Sequence, residues 1–157
     1  MAKVLIVYYS RTGNTRQMAK LVEEGIRAEG IDVETKDVED VETNELLNAE
    51  GIIFGSPTYY GGMAAPLKKL LDESVEFHGK LQGKVGAAFS SSANIGGGNE
   101  TTVLGILNAF LIHGMVVQGD ANDDHYGPVA IGAPDKRASQ QCRRLGQKVA
   151  RLVKKVC

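Results

Sequence analysis

The chain has little net charge, few cysteines and no long apolar run, and each shortage removes a class of function. Eighteen basic against nineteen acidic residues leave a formal net charge of −1, so no global field draws the molecule to nucleic acid. No apolar stretch approaches the roughly 20 residues of a membrane span, so no membrane association is expected. Only two cysteines, Cys142 and Cys157, are present. They fall on or after the last predicted helix and lack metal-ligand spacing. Neither a disulfide framework nor a cluster held by four cysteines of one chain is available. The N-terminus runs straight into a strand pattern, which argues against a secretory signal. A reducing, cytoplasmic setting is the expectation. What is present, 157 residues with 43% hydrophobic and 24% charged side chains, suits one globular domain over 1–157.

The informative stretch is Lys3 to Thr15. Val4 to Val7 form a continuous aliphatic run, as in a parallel strand covered on both faces. Ser10, Arg11, Thr12, Gly13, Asn14 and Thr15 follow, and then Met18, Leu21, Val22, Gly25 and Ile26 recur at helical spacing. Strand, polar loop and helix in this order make a phosphate site, because unpaired amides and the positive end of the helix dipole meet there. A Walker A loop needs a Lys before its Ser/Thr, and a dinucleotide fingerprint needs three glycines; this loop has neither. Ser10, Thr12, Asn14 and Thr15 instead offer neutral donors, and Gly13 lets the backbone come close. Such a set suits one phosphate of a mononucleotide, and the loop resembles that of flavodoxin-like proteins, which bind FMN. An ordinary turn capped by Asn14 or Thr12 is the alternative.

Helix one is predicted from Asn14 to Glu29, stopping at Gly30. Ile31 to Asp37 alternates and reads as an edge strand. Asp32 to Glu50 carries eight carboxylates against Lys36 alone. They are scattered and no His accompanies them, so they read as a solvated edge with a short helix at Thr43 to Asn48, not a metal site. Gly51 to Gly55 is a buried strand, Ser56 to Met63 a loop, and Ala64 to Ser74 a helix with Leu67, Leu70 and Leu71 inward. Gly83 to Phe89 is a strand, Ser90 to Gly98 a loop, and Asn99 to His113 a helix ended by Gly114. Met115 to Gln118 is a short strand. A loop to Pro134 follows, with a short extended piece at Val129 to Ile131, before a final helix from Asp135 to about Val156. Alternating strands and helices predict an α/β, flavodoxin-like three-layer sandwich. Its five-stranded parallel sheet has order 2-1-3-4-5 with helices on both faces. That order opens a crevice at the carboxyl ends of strands one and three.

Three polar loops meet at that crevice. A phosphoacceptor regulator would need acidic residues at these strand ends, and a cysteine phosphatase a thiol in the first loop; both are missing. Pro57 fixes a bend, Tyr59 and Tyr60 can lie against a flat heteroaromatic ring, and Gly61 can approach its edge. Packing alone would also explain the tyrosines. Ser90 to Gly98 adds small donors and a flexible glycine turn.

Ser-Pro-Thr-Tyr-Tyr-Gly-Gly-Met (56–63), Phe-Ser-Ser-Ser-Ala-Asn-Ile-Gly-Gly-Gly-Asn-Glu-Thr-Thr (89–102) and Ile-His-Gly-Met-Val (112–116) closely resemble the WrbA-type flavoproteins. The opening Tyr-Tyr-Ser and the late His-Tyr-Gly-Pro do so too. The resemblance spans almost the entire chain. It implies FMN, a homotetramer, and NAD(P)H as electron donor for a quinone. Carried across, the FMN positions are Ser10 through Thr15, then Thr58, Tyr59 and Tyr60. Ser91, Ser92, Ala93, Asn94, Ile95, Gly96, Gly97 and His113 complete them. The sequence departs from that family in three places. The stretch between strands two and three is shorter. Thr12 stands where the family has an aromatic linked to the nicotinamide nucleotide. No Trp is present to line a quinone pocket.

No nucleophilic side chain is needed for flavin chemistry, so no catalytic residue is assigned. The leading expectation is an FMN-dependent NAD(P)H:quinone oxidoreductase. A flavodoxin-like one-electron carrier and a flavin-binding sensor remain open beside it. His113 also fits the last turn of a helix, where positive charge is favourable. His125 and Tyr126 are candidates for a substrate pocket at a subunit boundary. The eight basic residues from Lys136 onward read as a solvated face or a docking surface.

Overall fold

The computed structural model describes residues 1–157. Its strands are β1 (Lys3–Tyr8), β2 (Asp32–Asp37), β3 (Gly51–Pro57), β4 (Val85–Ser92), β5 (Val116–Val117) and β6 (Val129–Ile131). Its helices are α1 (Asn14–Ala28), α2 (Ala65–Glu73), α3 (Asn99–Ile112) and α4 (Lys136–Val156). All pairings are parallel, in the order β2-β1-β3-β4-β5, with β6 also on β4. This is the flavodoxin-like topology.

Strand alternation builds two cores. Val4, Ile6 and Ile53 face α1 and α4, packing with Met18, Val22, Leu145 and Val149. Leu5, Val7, Ile52 and Phe54 face α2 and α3, packing with Leu67, Ile106 and Phe110. Period-two burial of aliphatics on both faces is why β1 and β3 read as unbroken apolar runs. No helix is long and apolar enough to cross a membrane.

Two expectations are corrected. First, β3 and β4 continue through Ser56–Pro57 and Ser90–Ser92, which the sequence pattern assigned to loops. Hydrophobic periodicity ends there, but the ladder does not. Ser90 pairs with Ser56 on one side and Val129 on the other. Second, the fifth strand is split. β5 lies against Val85–Gly86, while β6 lies against Ser90–Ser92. Between them the chain leaves the sheet and returns at Gly127, where φ is 149° and a Cβ would sit 2.1 Å from the Ala88 carbonyl oxygen. Only glycine fits that approach.

Candidate functional site

The crevice forms where β1, β3 and β4 end. Its open volume is about 570 Å³, and Arg11 is the one charged side chain lining it. Thr12, Asn14 and Thr15 form one wall, Pro57, Thr58 and Tyr59 another, and Ser91, Ser92 and Ala93 the floor. Three sequence-predicted loops therefore meet as expected.

Each loop is fixed by hydrogen bonds that the residue types dictate. In the first, Gly13 has φ 98° and is the N-cap of α1, with no side-chain cap. Neither Asn14 nor Thr12 caps the helix, so the capped-turn alternative is not what forms. The Gly13 amide donates to Ser10 Oγ at 3.1 Å. The amides of Asn14, Thr15 and Arg16 have no hydrogen-bond partner within the chain, since the first helical bond to Gly13 comes from Gln17. Thr15 Oγ1 lies 2.9 Å from Ser91 Oγ, tying the first loop to the floor. In the second loop, Thr58 donates its amide to the Ser91 carbonyl at 2.8 Å. Ser56 Oγ accepts from the Ala64 amide at 2.9 Å and closes the loop at its base. Tyr9 supports Tyr59 edge-on, with ring centroids 6.3 Å apart. In the third, Ser92 Oγ donates to the Asn94 carbonyl and accepts from Asn99 Nδ2, both at 3.0 Å. The Gly97 amide closes the Asn94 turn at 3.1 Å. Ile95 and Gly96 project at its exposed tip.

Tyr60 and Gly61 stand at the rim, not in the lining; Tyr60 is fully exposed. Gly132 lines the crevice although the sequence pattern did not single it out. Its amide donates to the Ser92 carbonyl at 2.8 Å. The extended piece Val129–Ile131 followed by Gly-Ala-Pro was the available signal.

Within the single chain, His113 does not line this crevice. It is the C-cap of α3. That helix starts at the crevice and runs 14 residues away from it, about 20 Å at 1.5 Å per residue. There His113 is buried, with Nε2 2.7 Å from Ser74 Oγ. Burial, and then the neighbouring His78, push its pKa below the usual histidine value. His125 and Tyr126 do not line the crevice either. Nδ1 of His125 sits 2.7 Å from the Asp120 carbonyl.

An uncapped helix start beside a parallel-sheet crevice, flanked by hydroxyls and a tyrosine, is matched by family likeness. The sequence pattern of the flavodoxin family matches residues 6–104. The chain belongs to the flavodoxin family. It is 39% identical to a flavodoxin of Clostridium saccharobutylicum, across 98% of this chain and 99% of that protein. It is 32% identical to an Archaeoglobus fulgidus protein named NAD(P)H dehydrogenase (quinone), across 100% of both chains. The solved structure of a flavodoxin, WrbA-like protein from Agrobacterium tumefaciens superposes with a TM-score of 0.84 at 27% identity, covering 100% of both.

Flavodoxin membership implies FMN, and the donor set fits it. The free amides at the start of α1, with Ser10, Thr12 and Thr15 beside them, suit a phosphate. Nothing lies within 4 Å of where a Cβ on Gly13 would sit, so the backbone there is open to a ligand. Pro57, Thr58, Tyr59 and Ala93 line the crevice beyond the phosphate loop, where a tyrosine face can meet a ring.

Proposed function

We propose that the protein is an FMN-dependent oxidoreductase passing two electrons from NADH or NADPH to a quinone. The observation carrying this reading is the crevice itself. It is open, and it is lined by no carboxylate, thiol or imidazole. The redox chemistry is therefore left to a bound cofactor. When bound, FMN supplies hydride acceptance and electron delivery. The chain's own residues bind and orient. Ser10–Thr15 hold the phosphate, Tyr59 walls the crevice, and Ser91 in its floor ties the first loop to the second through Thr15 Oγ1 and the Thr58 amide. Likeness to the Archaeoglobus quinone dehydrogenase and to the WrbA-like protein, both covered end to end, supports this reading.

A second reading, an electron carrier without its own NAD(P)H activity, is favoured by the 39% identity to a flavodoxin. One experiment separates them. FMN-loaded protein is mixed anaerobically with NADH or NADPH in a stopped-flow instrument. Rapid bleaching of the flavin, reversed by a quinone, is the expected result. A flavin that stays yellow with both nucleotides overturns the reductase reading in favour of the carrier.

A further inference from the structure

The second crevice loop ends in a tight turn. Tyr59 and Gly62 exchange both backbone hydrogen bonds, at 2.9 and 3.1 Å. Between them Tyr60 has φ 50° and Gly61 φ 76°. Tyr60 is the only non-glycine residue of the chain with positive φ. Two left-handed residues in succession make a type I′ turn, which asparagine and glycine adopt readily and tyrosine does not. Something outside the turn must hold it.

That contact comes from α3. Thr101 Oγ1 lies 2.7 Å from the Gly61 carbonyl oxygen and 2.8 Å from that of Gly98. A hydroxyl has one proton to donate, so the two carbonyls compete for it. Gly98 is already supplied: its oxygen accepts from the Thr102 amide at 3.0 Å, and Thr102 Oγ1, whose one proton faces both the Gly98 carbonyl oxygen at 2.9 Å and Thr58 Oγ1 at 3.3 Å, stands nearer to it. Gly61 has no other donor among the hydrogen bonds of the chain. The proton of Thr101 therefore belongs to Gly61. The approach is close, because a Cβ on Gly98 would sit 2.7 Å from Gly61 Cα.

We propose that Thr101 is a positioning residue: its hydroxyl latches the Tyr59–Gly62 turn to the first turn of α3 and so holds Tyr59 in place as a crevice wall. The latch is a property of the chain alone; its consequence for cofactor affinity rests on the FMN reading. Thr101 is exposed, so the near-isosteric Thr101→Val removes the hydroxyl without disturbing a core. Thr101→Ser keeps it.

Two measurements are needed: amide hydrogen exchange on FMN-free protein, and FMN affinity by quenching of flavin fluorescence. In Thr101→Val the amides of Tyr59 and Gly62 exchange about three- to tenfold faster, the range expected for one lost hydrogen bond. Those of Ile106 and Leu107 in mid-helix do not change. The dissociation constant for FMN rises by a similar factor, and Thr101→Ser restores both quantities. Unchanged exchange at Tyr59 and Gly62 in Thr101→Val overturns the latch and returns the proton to Gly98. Failure of the FMN reading is seen separately, as wild-type protein that does not quench FMN while the exchange effect persists.

Discussion

At the scale of single residues, His113 shows how one burial decides chemistry. Ser74 Oγ donates its proton to the Leu71 carbonyl at 2.6 Å, so it can only accept from His113, and Nε2 carries the proton. Nδ1 is buried with no partner. A second proton would have no acceptor, in agreement with a pKa lowered first by burial and then by His78. The unfolded chain takes up that proton near the ordinary value of about 6.5 while the native state refuses it. The sign follows: stability is fully present above that value and is lost as pH falls through it toward the depressed native pKa. The melting temperature of wild-type protein should therefore drop between pH 7.5 and 5.5 more steeply than that of His113→Gln. Equal slopes would remove His113 as the cause. Cys142, in contrast, is a silent core residue: fully buried, its thiol is pushed up to about 12 by desolvation, far from a reactive thiolate. Neither role was legible in sequence. A histidine near a helix end and a cysteine on a helix face each fit two environments, and only packing chooses.

At the scale of elements, α1 and α4 approach until backbone meets backbone. A Cβ on Gly25 would lie 2.1 Å from the Arg143 carbonyl oxygen, and one on Gly146 would lie 2.1 Å from that of Val22. These two helical glycines are therefore spacing residues, and their poor helix propensity is offset by contact. Gly146→Ala should cost about 1–3 kcal/mol through overpacking, lowering the melting temperature by several degrees. An unchanged melting temperature would mean that the helices can part freely. Element boundaries were legible where hydrophobic period and breakers agree, as in α1 with Gly30 behind it. They were not legible at Ser56–Pro57 and Ser90–Ser92. There the backbone ladder runs on through hydroxyl-bearing residues, with Ser90 Oγ 2.9 Å from Thr58 Oγ1, and these leave no periodic signal. The split of the fifth strand was missed in part: Val129–Ile131 was read as extended, but its place on β4 depends on the approach of Gly127 to Ala88.

At the scale of the whole molecule, sheet order followed from the alternation of strand and helix, because crossover handedness and the placing of loops leave few topologies. The meeting of the three polar loops followed from that order. The basic face of α4 needed the structure. Arg137 pairs with Asp124, Arg143 with Glu24, Arg144 and Lys148 with Asp120, and Arg151 and Lys154 with Glu29. Six of its eight basic residues thus bind the helix to α1 and to the β5–β6 loop, and the Asp120 carboxyl is held well below the usual carboxylate range, chiefly by Arg144. The pairs lie on a solvated face, where Arg137, Arg143, Arg144, Arg151 and Lys154 stay about half exposed. Where β1, β3 and β4 end, the amides of Asn14, Thr15 and Arg16 have no partner within the chain. In the FMN-bound protein these amides are expected to take the phosphate. Calorimetric titration of the FMN-free protein with FMN and with riboflavin, which differs only by lacking that phosphate, tests it most directly. Two or more charge-assisted hydrogen bonds at the Ser10–Thr15 loop predict riboflavin binding at least about 100-fold weaker. Equal affinities for the two would contradict the assignment of that loop.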